Sequence, residues 1–205
     1  MNNVCITQKI RPVIDLGLGL LILISLILGY GKTPSHLTEY CFVSGLLSGI
    51  LFLASFIRYT IVKKFFSSVY YFCSMISLLL IFIATLVIGL NLEGAFWFIH
   101  IINPLLVFTY WLVFCDHSTI KHKSIMTAVI LPFCWILFAF ILWKAGFKCP
   151  FPASLIFIGN PWYVSWLVIL ALSICIEILS FLLHILHKFL HTYIQKRRKN
   201  ALSKN

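Results

Sequence analysis

The chain has 205 residues, 61% of them hydrophobic and only 10% charged, against about 45–50% and about 25% in a soluble domain. So little polar surface cannot coat a globule of this size, which excludes an ordinary soluble domain and turns most apolar residues towards lipid. The net charge of +11 would suit nucleic acid, but thirteen of the sixteen Lys and Arg residues gather on one side of the predicted membrane, so the charge reads as topology and no nucleic-acid partner is expected.

A spanning helix takes about 20 mainly apolar residues. Six stretches meet that length, at about 12–30, 39–57, 66–90, 95–115, 125–143 and 162–186. The expectation is an all-α polytopic membrane protein, a single six-helix transmembrane domain over residues 1–205 with both termini cytoplasmic. The first span is read as retained, because five more follow it and no small-residue cleavage site does. Lys9 and Arg11 precede it, and Asp15 near its inner end is expected to pair with Arg11 or Arg58.

Span two carries a small-residue stripe, Thr38, Cys41, Ser44, Gly45, Ser48 and Gly49, on one helical face. Gly45 and Gly49 form a GxxxG pair that admits a neighbouring helix. The stripe reads either as packing or as a cavity wall bearing a hydroxyl or thiol. Span four opens with FWFIHIINPLLV. Pro104 has no N–H, so the carbonyl of His100, four residues earlier, loses its helical partner. The His100 imidazole, that carbonyl and the Asn103 amide then fall within one turn, and leaving them unsatisfied in hydrocarbon would cost several kcal/mol. They are expected to meet polar partners or water in a pocket open to the outer side. Imidazole is the usual general base near neutral pH. It also serves as a helix–helix hydrogen-bonding group. Cys41 and Ser44 enter span two from the same outer face, at a depth within a turn of His100, and a thiol or hydroxyl beside imidazole is the minimal activated nucleophile.

The segment 144–161 mixes Pro150, Pro152 and Pro161 with apolar residues, which predicts a re-entrant or interfacial cap rather than a solvated loop. In span six, Ser173, Glu177, Ser180, His184, His187 and His191 share an arc. An intramembrane carboxylate is costly and by default faces the bundle interior or water. The histidines read as a cationic face at the headgroups more readily than as a metal site, and no cofactor is expected. The basic tail 188–205 suits anionic headgroups on the cytoplasmic leaflet. Seven scattered cysteines without CxxC spacing behave as small hydrophobes. Only Cys41 and Cys149 lie near the outer face, where pairing is chemically allowed. With neither a retention signal nor a lipidation motif, the default location is the cell membrane.

HIINPLLVFTYWLVF (100–114), followed by a basic loop, another span and WKAGFKCPFPASLIFIG (143–159), resembles the family of the androgen-induced protein and the androgen-dependent TFPI-regulating protein, and within it the bacterial members. The resemblance covers the topology of the whole chain and, at the level of motifs, residues 95–163 and 40–48. It implies an intramembrane hydrolase of fatty-acid esters of hydroxy fatty acids that uses a threonine nucleophile and a histidine. The histidine corresponds to His100. Anchoring on Ser44, Leu46 and Leu47 puts Cys41 at the threonine position and Gly45 at an asparagine position, both departures from the family pattern. Cysteine keeps a nucleophile there, whereas glycine removes an oxyanion donor or a packing contact. Thr38, one turn earlier, is an alternative nucleophile. Three functions follow: a lipid-ester hydrolase with segment 144–161 as lid, a membrane scaffold in which His100 only bonds a neighbouring helix, and a transporter or ion-handling protein built around Glu177. Membrane lipids are the expected partners.

Overall fold

The computed structural model describes residues 2–31, 36–90, 92–116, 120 and 122–202. The side chains of residues 2–8, 122–123, 191 and 194–202 lie outside the description, and with them His191, Lys123 and the basic tail from 194 onward. Among the described residues the chain is mostly helical, with no strand. Eight α-helices follow in order: α1 (Asn2–Tyr30), α2 (Tyr40–Val62), α3 (Ser68–Ala84), α4 (Asn103–Phe114), α5 (His122–Met126), α6 (Ile130–Lys144), α7 (Ala153–Phe157) and α8 (Trp162–Leu202). Two π-helical turns flank the connection between α3 and α4, at Thr85–Gly89 and Phe98–Ile102.

Five helical segments are long and apolar enough to cross a membrane: Lys9–Tyr30, Tyr40–Val62, Ser68–Gly89, Ser124–Lys144 and Trp162–Leu190. Each matches one of the predicted spans. The stretch predicted as span four forms a shorter helix, Phe98–Phe114. At 1.5 Å per residue it is about 26 Å long, a little under the hydrocarbon thickness of about 30 Å. Its start is set by Gly94, at φ +55°, and its end by Cys115, whose backbone is extended.

Close approach of α1 and α2 explains the small-residue stripe. A Cβ on Gly49 would meet Leu23 Cδ2 at 2.7 Å, and one on Gly45 would meet Leu26 Cδ2 at 3.1 Å. The GxxxG pair is therefore a seat for two leucines of α1. Ser48 faces the other way along the same stripe and accepts a hydrogen bond from Ser74 of α3 at 2.8 Å. The core between α1, α2, α3 and α4 is aromatic, with Phe52 edge-on to Tyr110 at 5.0 Å and Phe72 against Trp111 at 5.6 Å.

The inner polar cluster differs from the predicted ion pair. Asp15 is fully buried and accepts a hydrogen bond from Ser55 Oγ at 2.6 Å. Ser55 also contacts the Tyr71 hydroxyl. Arg11 donates instead to Tyr110 Oη at 2.8 Å and to the Phe114 carbonyl at 3.1 Å, and lies over the Phe65 ring at 4.0 Å. Arg58 packs on Phe66. Hydroxyls bridge the buried charges, because one helical turn leaves Arg11 stacked on rings rather than folded back onto Asp15.

Candidate functional site

Pro104 shapes the ground around His100, though not as the helical register predicted. The chain widens to a π-turn over Phe98–Ile102, so that the N–H of Asn103 reaches the Phe98 carbonyl, five residues back. Pro104 then sits in the first turn of α4, where a missing N–H costs little. His100 lies inside this π-turn, is only 4% exposed, and stacks on Phe96 with ring centroids 5.5 Å apart. Asn103 donates to Ser25 Oγ of α1 at 2.8 Å, and Ser25 in turn donates to the Ile22 carbonyl at 2.7 Å. The amide thus ties α4 to α1.

Cys41 occupies the first turn of α2, buried. Its thiol lies beside the Tyr30 hydroxyl and the Glu39 carboxylate. The packing that links Cys41 to His100 runs through Tyr30, which meets Phe96 edge-on at 5.3 Å, and then through the Phe96–His100 stack. Ser44 is fully buried and donates to the Tyr40 carbonyl at 2.6 Å, which commits its hydroxyl to the backbone. Thr38 is half-buried, with its carbonyl accepting from Trp135 Nε1 at 2.9 Å.

Two hollows meet at this point of the bundle. The larger, about 510 Å³, has walls of carbon almost throughout; Cys41 lines it together with Ile81, Trp135, Phe151, Leu155 and Leu179. His100 is not among its lining residues. The smaller, about 360 Å³, is more polar, with His36, Thr38, Glu39, Lys148, Cys149 and Ser154 in its wall beside Pro150, Phe151 and Ile158. The change from polar to apolar wall falls between Glu39 and Tyr40, consecutive residues at the start of α2, and Phe151 lines both hollows.

The segment predicted as a cap builds the opposite wall of each hollow. It is held by a hydrogen bond from Tyr40 N–H to the Phe151 carbonyl, by Trp143 stacked on Phe157, and by Ser165 Oγ donating to the Ile156 carbonyl. Phe151–Pro152 is a cis peptide. Cys149 is a free thiol, as is Cys41, and burial pushes the Cys149 thiol up from its ordinary range.

His36 and Glu39 escaped the sequence reading. Nδ1 of His36 pairs with Oε1 of Glu39, and Oε2 of the same carboxylate accepts from Tyr30 Oη at 3.3 Å. A polar chain therefore runs from the His36 imidazole through Glu39 and Tyr30 to the Cys41 thiol. The signal was present as His-x-x-Glu across the start of span two, with His36 in the connection and Glu39 the first residue of the span. A carboxylate-held imidazole at the mouth and a thiol within can together hold and relay a proton.

The span-six stripe is split. Ser180 and His187 are buried, the latter against Trp111 at 4.3 Å, whereas Ser173 and His184 are half-buried and Glu177 is exposed. The buried line of α8 runs through Ser165, Ile169, Ile176, Ser180 and His187, about 90° round the helix from Glu177 at ~100° per residue. Glu177 thus faces away from the interior expected for it. Among the described residues no three His, Cys, Asp or Glu side chains come together as metal ligands. Comparison of the chain with family models, with curated proteins and with solved structures finds no match.

Proposed function

We propose that this is a multi-pass membrane protein that takes an acyl lipid into the apolar cleft and cleaves its ester at Cys41. The observation that carries the reading is the junction at Glu39–Tyr40, where an apolar cleft of about 510 Å³ abuts a more polar vestibule of about 360 Å³. An acyl ester is amphiphilic in that sense: its chain suits the carbon-walled cleft and its polar end suits the vestibule, which leaves the ester carbonyl beside Cys41. Volumes of this size are those of small-molecule sites, about 300–1,000 Å³.

In this reading the Cys41 thiol gives up its proton and its sulfur attacks the ester carbonyl. The alcohol leaves with a proton, and water then cleaves the thioester to release the acid and restore the thiol. His100 is the base that the family resemblance assigns, joined to the surroundings of the thiol by the ring contacts of Tyr30, Phe96 and His100. Topologically, the short helix Phe98–Phe114 also crosses, making six spans with both termini cytoplasmic, in the cell membrane. The gathering of Lys and Arg on one side of an even number of crossings supports that orientation.

A second reading is a membrane scaffold that binds lipid without turnover. The burial of His100 in its stack on Phe96, outside the lining of the apolar cleft, favours it. Turnover separates the two. Full-length protein in proteoliposomes is given a long-chain acyl ester, and release of free acid is followed for wild type, Cys41→Ala and His100→Ala. The hydrolase reading expects release by wild type and loss of at least tenfold in each variant. Lipid that co-purifies with wild type but is never cleaved selects the scaffold.

A further inference from the structure

We infer that the chain pairs with a second copy of itself through the Glu177 face of α8. Of the five long apolar segments, Trp162–Leu190 is by far the least covered, with 17% of its apolar window buried against 33–50% for the other four. Glu177 stands fifteen residues after Trp162 and thirteen before Leu190, near the middle of that segment. Its side chain is exposed, and among the described residues no hydrogen bond or ion pair reaches it. A carboxyl group facing acyl chains at mid-membrane is expensive whichever form it takes, and such groups face protein or water instead. The bundle of one chain does not supply that cover.

What covers it must place a hydrogen-bonding group at the same depth. A second copy in the same orientation does this by symmetry, because a two-fold axis along the membrane normal brings α8 alongside α8 and sets one Glu177 opposite the other. One carboxyl in its protonated form donates to the other, and neither remains in hydrocarbon. The Ser173 hydroxyl, one turn earlier, already donates to the Ile169 carbonyl at 2.9 Å, which leaves its oxygen to accept. Leu170 lies on the same face as Glu177, seven residues away and within about 20° at ~100° per residue. It is 58% exposed and supplies apolar contact. Polar side chains inside membranes hold helices together in this way. The opposite flank, with Cys175, faces the apolar cleft and stays outside the pair.

Cross-linking in native membranes tests this with the full chain. In a Cys134→Ser, Cys175→Ser background, Leu170→Cys is oxidised with copper phenanthroline. A covalent dimer is expected, and native Cys175 in the Cys134→Ser background is expected to give none. Adding Glu177→Gln should keep at least half of the dimer, since an amide still pairs across the axis, while Glu177→Leu should lower it at least fivefold. Elution of each variant as a single species in detergent shows that it has folded. No dimer from Leu170→Cys, equal yield from Cys175, a yield unmoved by Glu177→Leu, or an adduct with an unrelated protein overturns the inference.

Discussion

Replacing Tyr110 by phenylalanine isolates one hydroxyl in the inner polar cluster. The ring, packed edge-on against Phe52 at 5.0 Å, keeps its volume, so no cavity opens. What is lost is the acceptor of Arg11 Nε, 2.8 Å away, together with the hydroxyl's hydrogen bond to the Asp15 carboxylate. Arg11 keeps the Phe114 carbonyl at 3.1 Å and the Phe65 ring, and its NH2 nitrogen still lacks a partner. A hydrogen bond to a charged group is worth about 1.5–3 kcal/mol. Interhelical bonds in membranes tend to the lower end, because the unfolded chain in lipid finds partners too. The expected loss is about 1.5–2.5 kcal/mol, from those two ranges together. Unfolding in mixed micelles with increasing SDS measures it. Thr109→Val is the control, since that exposed hydroxyl donates only to the Leu105 carbonyl of its own helix and should cost under about 0.5 kcal/mol. Equal unfolding midpoints for the two variants would refute the reasoning that Arg11 is anchored through Tyr110.

Gly49→Ala should destabilise the α1–α2 contact by about 1–3 kcal/mol, because its Cβ would meet Leu23 Cδ2 at 2.7 Å; a Leu23→Ala partner substitution should recover most of that loss in the same unfolding assay. Cys149 is held above the ordinary thiol range by burial, so at any pH the folded protein carries less thiolate than an unfolded chain. Its alkylation by iodoacetamide should be slow at pH 7, should still climb where a free thiol has levelled off, and should jump on denaturation, as read by peptide mass. Filling the cleft with Leu179→Trp should reduce co-purifying lipid at least threefold without moving the SDS midpoint by more than about 1 kcal/mol, because that residue is half-buried rather than core.

The helical architecture was legible because hydrophobic length is a one-dimensional signal: five stretches of 21 or more residues are where composition put them. The fourth stretch was harder. Its apolar content runs on past both ends, but Gly94 and the π-turn that accommodates Pro104 fix where the helix begins. The candidate site was partly legible. Small residues at the head of span two flagged Cys41, and the proline-rich segment 144–161 flagged the cap. His36 and Glu39 were missed because their pairing depends on a turn outside any periodic element. The partnership of Cys41 with His100 rested on equal depth, which fixes distance along the membrane normal and says nothing of what lies between. The ring contacts of Tyr30 with Phe96 and of Phe96 with His100 belong to that lateral dimension. Glu177 was turned the wrong way for a related reason. Its stripe was built from polar residues alone, whereas Ile169 and Ile176 decide which side of α8 meets the bundle.

The most direct measurement of the central claim is site mapping with an acyl electrophile. Full-length protein in lipid is treated with a long-chain acyl chloromethyl ketone, and the modified peptide is identified by mass spectrometry. A single adduct on Cys41, prevented by excess long-chain ester and absent from Cys41→Ser, is the predicted result. Labelling confined to other cysteines, or labelling of Cys41 that excess ester leaves unchanged, would contradict a lipid ester bound across the Glu39–Tyr40 boundary.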